Sequence, residues 1–198
     1  MAVRAEELGA MVRVFADWPR PGIDFHDVTP LLADAQAFHE VVTTIADHHA
    51  RGMVDPGGGP VTHVAGIEAR GFAVAAPVAL RLDAGFIPVR RAGRLPADVE
   101  AAECTLDYGT QLLEMQRQSV GPASSVLIVD DVLGTGATAE AVVRMVRRCG
   151  GEVAGVACAL EVAAEGGRHR LDGIPVFSVL RVDGGQVTAG GDSPKREG

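Results

Sequence analysis

The sequence predicts an α/β fold, a doubly wound parallel sheet, and three observations carry that expectation. Short apolar runs recur at residues 61–67, 86–89, 126–129, 152–160 and 176–180, as in strands buried on both faces of a parallel sheet. Segments of helical period alternate with them. The joints between the two are short and rich in glycine and other turn residues.

Taken in order, residues 3–16 space Leu8, Met11, Val12 and Phe15 as one face of a helix. Trp18-Pro19-Arg20-Pro21-Gly22 breaks it, and 23–30 reads as a stiff, irregular connector. Asp34 is placed to cap a second helix that runs to about Arg51, with Phe38, Val41, Val42 and Ile45 inward. Residues 52–60, rich in glycine, are expected as a surface loop. Strand 61–67 passes through Glu68-Ala69-Arg70-Gly71-Phe72 into a helix ending near Leu82, with a kink expected at Pro77. Strand 86–89 then returns parallel, through a right-handed crossover.

Residues 90–96 are basic and turn-prone, 97–103 are polar and acidic, and 105–110 lie between two short strand-like arms. An excursion of this length in a compact domain reads either as a lid over a site, spanning about 93–110, or as a mobile surface hairpin. The chain beyond Asp183 turns to glycine, serine, proline and charge, so 1–182 is expected as one domain and 183–198 as a frayed tail.

At 198 residues and 47% hydrophobic the chain supports one substantial core. A net charge of −8 argues against a nucleic-acid surface. No apolar run reaches membrane-spanning length and no signal-peptide pattern opens the chain, so no membrane partner is expected. Three cysteines, Cys104, Cys149 and Cys158, cannot all pair; two fall in expected core elements, which fits a reducing cytoplasm.

The most informative stretch is 126–150. An apolar strand delivers Asp130 and Asp131 together, then a loop of small and hydroxyl residues, Gly134, Thr135, Gly136, Ala137 and Thr138. The helix that follows has Val142, Val143, Val146 and Cys149 on one side and Arg144, Arg147 and Arg148 on the other, and Gly150-Gly151 ends it. Free amide groups and the positive end of the helix dipole meet in that loop, so it suits a phosphate. Adjacent carboxylates repel phosphate but accept hydrogen bonds from a sugar diol. The pattern therefore asks for a phosphate one sugar-length from vicinal hydroxyls, as in a 5-phosphoribosyl group. A Walker loop is absent, the sole lysine being Lys195, and a dinucleotide fingerprint would place its acid about 20 residues downstream.

Residues 129–138 resemble the phosphoribosyl-pyrophosphate (PRPP) motif of the type I phosphoribosyltransferases. From about residue 11 to 181 the chain resembles the adenine phosphoribosyltransferase family within that group. Pro21-Gly22-Ile23 with Phe25, residues 27–31 (D-V-T-P-L), residues 66–72 (G-I-E-A-R-G-F), Pro88-Val89-Arg90-Arg91 with Gly93-Arg94-Leu95-Pro96, and Leu106-Asp107-Tyr108-Gly109 carry the likeness. The resemblance implies transfer of the phosphoribosyl group from PRPP to adenine, giving AMP and pyrophosphate, with Mg²⁺ held mainly through PRPP and water. It implies a small N-terminal hood that binds the base, a flexible lid, and a homodimer.

Residue by residue, the resemblance implies that Asp130 and Asp131 hold the ribose and that 134–138 holds the 5′-phosphate. Arg70, Arg90, Arg91 and Arg94 match positions that hold pyrophosphate, and a non-proline cis peptide is implied at Glu68–Ala69. Asp24, Phe25 and His26 match the base wall, with Phe25 stacking on the purine; plain core packing is the other reading of Phe25. Asp107 and Tyr108 match the lid pair, the carboxylate steadying positive charge on the sugar. The chain departs from the family pattern at Asp24 and His26, on the base wall, at Asp107, where Glu is usual, at Cys104, and at Ala137 in the loop. A phosphoribosyltransferase for another purine base and a non-catalytic PRPP-binding regulator are the rival functions.

Overall fold

The computed structural model describes residues 4–50, 59–106 and 109–192. Among them the elements run α1 (Ala5–Gly9), β1 (Arg13–Phe15), β2 (Phe25–Asp27), α2 (Thr29–Ala33), α3 (Ala35–Ala50), β3 (His63–Ile67), α4 (Gly71–Arg81), β4 (Gly85–Arg91), β5 (Val99–Leu106) and β6 (Gly109–Gln116). The second half continues with β7 (Ser125–Leu133), α5 (Ala137–Arg148), β8 (Glu152–Val162), α6 (Gly167–Arg170), β9 (Val176–Asp183) and β10 (Gln186–Asp192).

The main sheet has the order β10-β9-β8-β7-β3-β4-β6-β5. Its centre, β9-β8-β7-β3-β4, is parallel, and antiparallel strands close both ends. Side chains of β7 alternate as a strand must. Val126 and Ile128 enter one core, with α5, and Leu127 and Val129 enter the other, with α3 and α4. Each large apolar side chain fully buried this way contributes about 1.5–3 kcal/mol. The doubly wound expectation therefore holds. The chain winds one way from β3 to β4 and the other way from β7 to β9, so the crevice where ligands bind in such sheets lies between the carboxyl ends of β3 and β7.

Asp34 caps α3 as expected, its Oδ1 accepting from the backbone N–H of Gln36 at 3.0 Å and of Ala37 at 2.8 Å. Arg51, and residues 52–58 of the glycine-rich loop, lie outside the described residues. Pro77 sits inside α4, which nevertheless runs unbroken from Gly71 to Arg81.

Three expectations need correction. The helix over 3–16 is only α1; the chain then extends as β1 and pairs antiparallel with β2, Arg13 opposite Asp27 and Phe15 opposite Phe25. Pairing within this ribbon overrides helical periodicity and leaves Val14 and Phe15 on the surface. The tail does not fray directly after Asp183. Gln186–Asp192 adds an antiparallel edge strand to β9 through a tight Gly184-Gly185 turn, both glycines at positive φ. The arms of the excursion are not short either. β5 and β6 are eight-residue strands whose Ala102, Cys104, Leu113 and Met115 are buried in the α5-side core. The buried cysteines are Cys104 and Cys158, with Cys149 half-buried, and all three are free thiols.

Candidate active site

The loop after β7 has the geometry that its residues imply. Gly136 takes φ +76° and serves as the cap of α5, and Thr135 Oγ1 accepts from the Ala137 N–H at 3.4 Å. Thr138 faces the cleft, and the Cys104 thiol of the hairpin donates to its Oγ1 at 3.6 Å. The loop rests on the Gly166-Gly167 turn, so close that a Cβ on Gly167 would collide with the Gly134 carbonyl oxygen.

Immediately before the loop stands the acid pair. The Asp131 N–H donates to Asp130 Oδ1 at 2.9 Å. Arg70 Nε lies 2.9 Å from Asp131 Oδ2, an ion pair in position but not in alignment, since that buried oxygen has no hydrogen-bond donor directed at it. Burial and the neighbouring Asp131 charge push the Asp130 carboxyl well above the usual carboxylate range. Burial also raises Asp131, with Arg70 pulling the other way. The start of α4 closes on this pair because residue 71 is glycine; a Cβ there would lie 2.5 Å from Asp130 Oδ1.

The hood faces the acids across the cleft. Arg70 lies over the Phe25 ring, its guanidinium carbon 4.8 Å from the centroid, and Trp18 meets the same ring edge-on at 4.4 Å. Asp27 secures the ribbon. It is paired with Arg13 and accepts from the Thr29 N–H at 2.9 Å; burial raises its carboxyl, but these bonds outweigh that and hold it below the usual range.

A second carboxylate, Glu68, gathers the arginines. Its Oε2 accepts from Arg90 Nε at 3.2 Å and from the Arg91 N–H at 3.1 Å, and Arg94 Nη1 lies 3.9 Å from Oε1. These partners lower Glu68 against the opposing effect of burial. The peptide between Glu68 and Ala69 is cis. Glu114 fixes the following turn, accepting from the N–H groups of Arg94 at 2.8 Å and Leu95 at 2.9 Å.

One cleft of about 300 Å³ therefore brings together Asp24, Phe25, His26, Arg70, Arg91, Asp130, Asp131, Gly134, Thr135, Gly136 and Thr138. Ala137 is buried as the first residue of α5. Arg90 and Arg94 stand one layer back, on Glu68. Asp107 and Tyr108 lie outside the described residues. Two functional candidates escape reasoning from sequence pattern: Glu68, as the acid that organises the arginines, and Glu165, whose carboxylate lies against Gly134 in the cleft. The position of Glu165, just past the carboxyl end of β8, was the available signal.

Among known proteins, the phosphoribosyl transferase domain family matches residues 31–185. An adenine phosphoribosyltransferase of Streptomyces galbus is 45% identical over 181 residues, 89% of this chain and 96% of that protein. That of Kineococcus radiotolerans is 46% identical over 179 residues, 88% and 93% of the two chains. In three dimensions, the crystal structure of adenine phosphoribosyltransferase from Thermoanaerobacter pseudethanolicus superposes with a TM-score of 0.82 at 38% identity, covering 90% of this chain and 99% of that one. The Saccharomyces cerevisiae enzyme, crystallised with an imino-altritol bisphosphate and adenine, gives 0.80 at 30% identity, covering 88% and 97%.

Proposed function

This chain belongs to the adenine phosphoribosyltransferases of the phosphoribosyl transferase family, and from that premise we propose how its cleft works. The reaction is transfer of the 5-phosphoribosyl group from PRPP to adenine, with AMP and pyrophosphate as products, a step of purine salvage. The observation that carries the site assignment is the buried acid pair set directly before an amide-lined loop at a helix N-terminus.

In this reading the 134–138 loop holds the 5′-phosphate with backbone N–H groups and the Thr135 and Thr138 hydroxyls. Asp130 and Asp131 accept hydrogen bonds from the ribose hydroxyls, and Asp131 Oδ2, which lacks an aligned donor, is the oxygen most in need of one. Arg70 leaves its place over Phe25 for pyrophosphate, which frees that ring face for the purine. Arg91 joins Arg70 on pyrophosphate, and Glu68 keeps Arg90 and Arg94 aimed from behind. Asp24 and His26 complete the base wall. The C1′–O bond to pyrophosphate breaks, the leaving oxygen keeping the electron pair, as the C1′–N9 bond forms, and the N9 proton of adenine passes to water. Asp107 and Tyr108 close over the sugar in this scheme, excluding water and steadying positive charge.

The donor set suits an ion that arrives with its substrate: the carboxylates of the cleft fit ribose hydroxyls and metal-bound water. Among the described residues no group of three or more His, Cys, Asp or Glu is arranged to hold a metal. Bound as the PRPP chelate, Mg²⁺ neutralises part of the pyrophosphate charge.

Two further assignments belong to this reading. A homodimer accounts for Leu80, Phe86 and Leu112, large apolar side chains left exposed by the chain's own fold. A reducing cytoplasm accounts for three unpaired thiols. Among the described residues no helix is long and apolar enough to cross a membrane.

A panel of adenine, guanine, hypoxanthine and xanthine with PRPP·Mg²⁺, followed by pyrophosphate release, tests the assignment. Adenine is expected to be turned over in preference to the rest. Preference for another base would overturn the base assignment, and PRPP binding without turnover of any base would favour a regulator.

A further inference from the structure

Behind the loop assigned to the 5′-phosphate lies a buried polar cluster that takes no part in the reaction described above. Arg168 leaves α6 with its side chain about seven-eighths covered (12% exposed) and Glu161 stands at the end of β8 with 4% exposed. Arg168 Nε donates to Glu161 Oε1 at 2.7 Å, and Nη1 donates to the Val176 carbonyl at 2.8 Å. Arg168 Nη2 donates to Ser178 Oγ at 3.1 Å and to the Gly191 carbonyl at 2.7 Å. The Ser178 hydroxyl in turn donates to Glu161 Oε2 at 3.0 Å. One guanidinium thus ties together the ends of β8, β9 and β10.

The residue before Arg168 is Gly167, and Gly167 is the floor of the loop. A Cβ on Gly167 would collide with the Gly134 carbonyl and lie 3.2 Å from the Gly136 nitrogen, while one on Gly136 would lie 2.8 Å from the Gly167 carbonyl oxygen. Two backbones in such contact cannot shift independently, because interiors at this density transmit displacement. Gly166, at φ +73°, turns the chain into this contact. The position of residues 166–167 is therefore set on one side by the loop and on the other by the side chain of Arg168.

We infer that Arg168, held by Glu161 and Ser178, is a positioning residue for the 5′-phosphate loop: it locks the Gly166-Gly167 turn under Gly134–Gly136 so that the loop amides stay aimed at phosphate. The same guanidinium makes the edge strand β10 part of the support, through Gly191. The inference rests on the assignment of 134–138 to the 5′-phosphate. Burial alone raises the Glu161 carboxyl, yet its bonds to Arg168 and Ser178 hold it below the usual range, as expected of an acid kept ionised by a fixed partner.

The test compares ribose 5-phosphate and adenine binding by calorimetry, together with KM for PRPP and for adenine, in the full-length protein and in Arg168→Met, Arg168→Lys, Ser178→Ala and Thr138→Val. Arg168→Met is expected to weaken ribose 5-phosphate and raise KM for PRPP about tenfold or more, with adenine affinity unchanged, because misplaced binding groups cost this much even at small displacements. Arg168→Lys keeps the charge but not the fork, and is expected to recover only part of the loss. Ser178→Ala removes one link, folds under milder demands, and should show the same selective loss in smaller measure. Equal weakening of both ligands, or a fall in thermal stability with the ribose 5-phosphate affinity intact, would overturn the inference. Thr138→Val separates this from the assignment beneath it. If that variant binds ribose 5-phosphate as the parent does, the loop assignment itself fails; if it weakens binding while Arg168→Met does not, only the role of Arg168 is lost.

Discussion

The carboxylates around the cleft fall into two groups that the fold treats in opposite ways. Asp27, Glu68 and Glu114, in the hood and beside the hairpin, are each surrounded by donors and are held below the usual range although burial opposes it. Asp130 and Asp131, at the centre, face each other and a single misaligned arginine, and both are pushed up. The outer acids are finished parts of the scaffold. The central pair carries an electrostatic cost that the fold itself leaves uncompensated, as candidate functional sites do and structural ion pairs do not.

Removing a central acid should break this contrast most visibly. Asp131→Asn is expected to lower turnover with PRPP about 10²- to 10³-fold, the scale set by loss of one transition-state hydrogen-bonding group, without lowering the melting temperature of the ligand-free protein. Turnover within threefold of the parent would remove Asp131 from the ribose site. The same variant changes the pH dependence of unfolding. A carboxyl raised in the fold binds its proton more tightly there than in the unfolded chain. Its contribution is therefore fully present below the unfolded value of about 3.8 and is lost as pH rises through the raised folded value. The outer acids act in the opposite sense, their contribution being full above the unfolded value, about 4.5 for Glu68 and Glu114 and about 3.8 for Asp27, and lost as pH falls through their lowered values. Urea unfolding from pH 3 to 7 should show the first component reduced by Asp131→Asn, the part due to burial of Asp130 remaining, and the second retained.

Glu68→Gln sharpens the comparison from the outer side. With the acid gone, Arg90 and Arg94 lose their common partner, and KM for PRPP is expected to rise about tenfold, or about 1.4 kcal/mol, with adenine KM unchanged. Steady-state kinetics with each substrate varied in turn decides this, and a rise in adenine KM of the same size would contradict it. Thr135→Val should have the smallest effect. Loss of one neutral hydroxyl contact is worth about 1 kcal/mol, roughly a fivefold weakening of ribose 5-phosphate, and none for adenosine, which lacks the phosphate. Equal weakening of both, by calorimetry, would contradict the loop assignment.

What could be read from sequence followed the same division. The β7–loop–α5 unit is encoded locally: Val126–Val129 make a strand buried on both faces, Gly136 supplies the positive φ, and Val142, Val143 and Val146 define one helix face. Arg144 and Arg148, on its other face, have partners no local pattern announces: Arg144 donates to the Glu103 carbonyl at 2.6 Å, and Arg148 reaches Glu100 at 3.4 Å. The hood was misjudged because Leu8, Met11, Val12 and Phe15 keep a helical period although Phe15 pairs with Phe25 in a ribbon. β10 was missed because Gly190 and Gly191 read as tail, while in the fold Gly190 must be small to lie against Ser178. No spacing rule announces Glu68, Arg168 or Glu165: Glu68 and Glu165 meet residues distant in sequence, and Arg168 meets Glu161, seven residues back, only because the chain turns between β8 and α6. Resemblance to a family supplied the hood and arginine roles that periodicity could not.

A crystal structure of the protein with AMP tests the central claim most directly. The phosphate is predicted to lie within hydrogen-bond distance of the amides and hydroxyls of 134–138, with the ribose 2′ and 3′ hydroxyls on Asp130 and Asp131 and the adenine ring against Phe25. A nucleotide bound with its phosphate outside that loop, or with the acid pair still facing no hydroxyl, would contradict the account.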